Sequence, residues 1–139
     1  MHTRQEGIVR TWICRFYKRR NYITVFEWDT VENMRKALNK AGAPKRGYYD
    51  NALGATSSCV TVFTKNKWRC PKKFGEVHLV KDRYGSNIVA HELQHIINYW
   101  INFKEWNRTD DDEKIAMFAG VLHRMFWRGF YNRKENDIE

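Results

Sequence analysis

Residues 86–103 read Ser-Asn-Ile-Val-Ala-His-Glu-Leu-Gln-His-Ile-Ile-Asn-Tyr-Trp-Ile-Asn-Phe, and their apolar spacing decides the fold. Val89, Ala90, Leu93, Ile96, Ile97, Trp100 and Ile101 recur at the 3.6-residue period of an amphipathic helix. Ser86 or Asn87 supplies a capping side chain at its start. The other face carries His91 and His95, flanked by Ile88, Glu92, Tyr99 and Asn102. Four residues of helix leave two side chains only about 40° apart. The two imidazoles therefore share one side, with Glu92 beside them.

Working outward, residues 76–81 read as a strand that Tyr84 and Gly85 break before the helix starts. Downstream, Thr109 and the acids Asp110 to Glu113 open a second helix that runs to about Tyr131, negative side chains favouring its positive end. Further upstream, Val9–Tyr17 and Tyr22–Trp28 are rich in β-branched and aromatic residues and flank a basic turn, which predicts an antiparallel hairpin. Asp29 or Thr30 caps a helix through about Lys40, carrying Val31, Met34, Ala37 and Leu38 at helical spacing and stopped by Gly42 and Pro44. Residues 45–58 hold Gly47, Asp50, Asn51 and Gly54 and are expected to form a loop, followed by a short strand over Cys59–Thr64. The expected class is α+β. A small, partly antiparallel sheet packs on the 86–103 helix, backed by the last helix, in one domain spanning residues 1–139.

Composition bounds the rest. With 139 residues, 42% hydrophobic and 15% aromatic, the chain can build one sizeable core. The longest nearly apolar run, Ile115 to Trp127, is broken by His123 and Arg124 and falls short of the about 20 residues that a bilayer span needs, so no membrane association is expected. Met1 to Glu6 hold no apolar segment of a secretory signal, and the expected location is cytoplasmic. Cys14, Cys59 and Cys70 form no CxxC pair and are expected as thiols; the spacing of Cys59, Cys70 and His78 fits no common structural zinc pattern. The net charge is +9, with cations concentrated in 4–20, in 65–73 and at Lys81, Arg83, Arg124 and Arg128. Solvated surface accounts for most of it, and a nucleic acid is the partner that such a basic surface suits.

His91-Glu92-Leu93-Gln94-His95 is an HExxH string, in which two histidines one turn apart bind one ion and the glutamate reaches its water. A catalytic zinc ion takes three protein ligands and keeps one position open, so a third ligand is expected downstream. Glu113 is the candidate. It heads a stripe of Glu113, Ala116, Gly120, His123 and Trp127, whose small members would let the two helices approach closely; Asp110, Asp111 and Asp112 are alternatives. For the oxyanion, Tyr84, Tyr99, His123 and Tyr131 are available donors, and Tyr99, four residues past His95, stands on the metal side.

With Glu113-Lys114-Ile115-Ala116 as an ExxA element, the stretch from about Glu76 to Trp127 resembles the gluzincin branch of zinc metallopeptidases, in particular compact ImmA/IrrE-type peptidases and small phage-encoded zincins. The resemblance implies a zincin-like fold, zinc held by His91, His95 and Glu113, and Glu92 as general base. It also implies a protein or peptide substrate. Met117 stands where larger gluzincins often carry an acid, and no third histidine follows before His123. The expected function is zinc-dependent peptide hydrolysis; the alternative is a binding or inhibitory protein on the same scaffold, of phage or mobile-element type, with a protein or nucleic acid partner.

Overall fold

The computed structural model describes residues 6–59, 62–64, 67–69 and 71–132. β1 (Ile8–Phe16) and β2 (Asn21–Trp28) form the expected antiparallel hairpin, with Phe16 opposite Asn21 and Ile8 opposite Trp28. Strand alternation sends Arg10, Cys14 and Phe16 inward and leaves Thr11, Ile13 and Arg15 exposed. The connecting turn is unusual: Tyr17, Lys18 and Arg19 all have left-handed φ angles, 47°, 55° and 63°.

α1 (Val31–Gly42) starts where Thr30 Oγ1 accepts the Asn33 N–H at 3.1 Å, and Gly42 lies at the end with φ 135°. Residues 54–58, expected as loop, are instead strand β3 (Gly54–Ser58). β4 (Val62–Thr64) and β5 (Lys67–Arg69) make a separate two-stranded ladder; of the strand expected over Cys59–Thr64, the last three residues are strand, Cys59 is not, and Val60 and Thr61 lie outside the described residues. β6 (Lys73–Val80) precedes α2 (Ser86–Lys104) and α3 (Asp112–Tyr131). Gly85, not Ser86 or Asn87, occupies the N-cap of α2, without a side-chain capping bond.

The main sheet runs β1-β2-β6-β3, with β2 and β6 parallel and the outer pairs antiparallel. This mixed sheet and three helices make an α+β arrangement. One face of the sheet, through Ile23, Val25, Val77 and Leu79, forms the main core with Leu93, Ile96, Ile97 and Trp100 of α2 and Phe118, Leu122 and Phe126 of α3. The other face holds a smaller cluster of Trp28, Val80 and Met34 of α1. Beside that cluster His78 is buried under Phe26, the rings stacked at 4.9 Å, and its Nδ1 accepts the Trp28 indole N–H at 3.0 Å. Its Nε2 lies 3.1 Å from Glu76 Oε1, and Lys73 pairs with the other Glu76 oxygen.

α2 and α3 divide the main face between them. α3 lies against β1 and α2 against β3, the two outermost strands. Gly75 lets α2 come close, since a Cβ there would meet the Ser57 carbonyl at 2.7 Å and Ile96 Cδ1 at 2.8 Å. Among the described residues no helix is long and apolar enough to cross a membrane.

Candidate active site

Burying Val89, Leu93, Ile96, Ile97, Trp100 and Ile101 turns the His91–His95 side of α2 away from the core. Ala90, grouped with them by sequence, is exposed. His91 is exposed and His95 half-buried, their ring centroids 5.0 Å apart and nearly perpendicular. Two imidazoles bound to one tetrahedral ion through nitrogens about 2 Å from it have ring centroids about 5 Å apart, so this pair fits two positions of a zinc site.

Glu92 is buried, unlike its histidine neighbours. Its Oε1 accepts the Thr56 hydroxyl at 2.7 Å, and its Oε2 stands 3.9 Å from His91 Nε2. The Thr56 hydroxyl also approaches the Glu92 carbonyl at 3.1 Å. Two residues earlier, Gly54 leaves room for the carboxylate, because a Cβ there would sit 3.2 Å from Oε2. The edge strand thus fixes one oxygen of Glu92 and leaves the other facing His91. A cavity of about 440 Å³ opens here, lined by Asn51, Leu53, Gly54, Asn87, His91 and Glu92 among others.

Tyr99 continues the stripe, its ring 6.5 Å from that of His95 and inclined by 25°. Burial first, then the neighbouring Tyr48, Tyr49 and Glu92, push its phenol pKa upward, so it is held as a proton donor. Of the other donors, Tyr84 is committed to Glu27 Oε2 at 2.6 Å, and Tyr131 is exposed on α3. His123 is half-buried on α3, where burial lowers its pKa.

The structure does not gather Glu113 with the pair. It is exposed in the first turn of α3, the helix on β1, whereas the histidines belong to the helix on β3. The stripe below it does not pack on α2 either: Ala116 is exposed, and a Cβ on Gly120 would face open space. Among the described residues no group of three or more His, Cys, Asp or Glu side chains could hold a metal ion. The residues therefore fit zinc through two imidazoles and leave its third protein ligand unassigned. Cys70 lies outside the described residues, and His78 is occupied by Trp28 and Glu76.

Sequence reasoning missed Thr56 and Gly54. Neither sits in a motif, and their only signal is small size at alternate positions, which becomes meaningful once β3 lies under α2. Comparison of the chain with protein-family models, curated proteins and solved structures finds no match.

Proposed function

We propose that the protein is a metal-dependent peptidase in which His91 and His95 supply two ligands to zinc and Glu92 is the general base. The observation that supports this best is the state of Glu92: buried, with one oxygen fixed by Thr56 and the other turned toward His91 at a cavity. A carboxylate serving only helix solubility would point to water. When bound, zinc would lower the pKa of its water to about 7 and polarise the scissile carbonyl. Glu92 Oε2 takes a proton from the attacking water and delivers it to the leaving amine nitrogen. Tyr99 is available to donate a phenol hydrogen bond, without losing its proton, to the oxyanion formed from the carbonyl. Among the described residues β3 ends the sheet, so an extended peptide can pair with that edge and lie beside Glu92.

Elemental analysis of the purified protein, beside a peptide-library cleavage assay, tests this. Stoichiometric zinc should be present in wild type, retained in Glu92→Gln and Glu113→Ala, and lost in His91→Ala and His95→Ala. Glu92→Gln should abolish cleavage. Wild type without stoichiometric metal, or undiminished cleavage by metal-loaded Glu92→Gln, overturns the proposal. The second reading, a non-catalytic binding protein on this scaffold, is favoured by the solvent-facing position of Glu113 and predicts metal retention with no turnover.

A further inference from the structure

At the opposite edge of the sheet, a groove of about 230 Å³ runs between the β1–β2 turn and α3. Five cations line it: Arg15, Lys18 and Arg19 from the hairpin, and Arg124 and Arg128, one turn apart on α3. All five are exposed, no acidic residue lines the groove, and among the described residues no carboxylate pairs with any of them. Its floor is apolar, formed by Phe16, Val121 and Met125. Like charges gathered with no counter-charge among the described residues repel one another, and an anion in the groove would relieve that repulsion.

The turn that brings Lys18 and Arg19 there is costly. Three consecutive non-glycine residues at positive φ store about 1–2 kcal/mol each. A sequence with Asn or Gly would make the same reversal with less strain. Tyr17, in the same turn, keeps its ring 46% exposed and lies between cations, with Lys104 Nζ 4.3 Å from its centroid. The ring packs at 5.6 Å on Trp100 and lies under the flexible Lys104 ammonium, so a base can stack on its exposed part once that side chain swings aside, while guanidinium forks match phosphate oxygens two at a time.

We propose that this groove binds the phosphodiester backbone of a single-stranded nucleic acid, with Tyr17 stacking on one base. The site is independent of the His91–His95 reading, since the two lie at opposite edges of the sheet. Four guanidiniums fit phosphates, and the exposed tyrosine favours an unpaired strand over a duplex or an acidic protein surface.

Fluorescence anisotropy with a labelled oligothymidylate over a range of salt concentrations tests it. Five phosphate contacts predict a slope of log affinity against log salt of about −3.5. Arg124→Gln with Arg128→Gln should reduce that slope by about 1.4 and weaken binding at least tenfold. Tyr17→Ala should weaken binding about 5- to 150-fold while leaving the slope unchanged. Lys36→Gln with Lys40→Gln, on α1, should leave the slope as in wild type. Circular dichroism checks that the variants fold, and Lys18→Gln with Arg19→Gln repeats the test from the turn side. Unchanged affinity and slope in both double variants overturns the proposal. So does a result in which both double variants lose binding to poly-glutamate or anionic vesicles but keep wild-type binding to oligothymidylate.

Discussion

Replacing Thr56 by Val removes one hydroxyl and little else, and it isolates the contact that holds the Glu92 carboxylate. The two side chains have nearly the same shape, Val suits a strand at least as well, and no cavity is opened. What disappears is a donor at 2.7 Å from a buried carboxylate oxygen. Hydrogen bonds to charged groups contribute about 1.5–3 kcal/mol, and the partial exposure of Thr56 favours the lower end. With an unfolding entropy of about 2.1 cal/mol/K per residue, that loss lowers Tm by about 5–10 °C in a chain of 139 residues. Urea and thermal unfolding of Thr56→Val, Glu92→Gln and the double variant measure it. In the Glu92→Gln background the same substitution removes only a neutral bond of about 0.5–1.5 kcal/mol, so a coupling of about 1 kcal/mol is expected. Peptide cleavage, where Glu92 must stay aimed, should fall about 10- to 100-fold in Thr56→Val. A change in stability below about 0.5 kcal/mol with strictly additive effects would refute the claim that β3 holds Glu92.

Two further outcomes follow from packing and charge. Gly129→Ala should cost about 1–3 kcal/mol in urea unfolding, because a methyl there overlaps the Trp12 indole and forces α3 off β1. The His78 hydrogen bond, then Lys73, hold the Glu76 carboxyl near pKa 2 against a usual 4.5, despite opposing burial. Its folded pKa is depressed, so this stabilisation is complete above pH about 4.5 and disappears as pH falls toward 2. Acid unfolding of Glu76→Gln should accordingly lack an increment of roughly 3 kcal/mol at most, since Glu76 is 29% exposed and partly screened. An identical pH dependence in wild type and Glu76→Gln would contradict it.

The parts of the fold readable in the sequence were those with a strong period. The hairpin, α2 and α3 lie within a few residues of where apolar alternation and spacing put them, because burying large side chains is the dominant local signal. β3 escaped notice for the opposite reason. Ala55, Thr56 and Ser57 carry little apolar area, and small residues are what the close passage of α2 requires. The same logic misdirects the reading of α3. Glu113, Ala116 and Gly120 resemble a helix contact, but Phe118, Leu122 and Phe126, also on one stripe, offer far more area and take the interface. With that face against Phe16, Trp12 and Trp100, Glu113 turns to solvent. His91, Glu92 and His95 were legible because helical geometry alone sets their relative placement. The burial of Glu92 was not, since it depends on a strand more than thirty residues away.

Two segments more than a hundred residues apart in sequence close on one another. Arg10 of β1 donates to the Gly129 and Phe130 carbonyls near the end of α3, and the Trp12 and Phe16 rings rest on Phe126 and Phe118. Until α3 has been synthesised, Trp12 lacks its Phe126 and Phe130 partners, while Phe16 rests on Phe74 and Trp100 alone. Closing the main core thus requires joining segments far apart in sequence, a step that chain entropy makes slower than forming the hairpin or either helix.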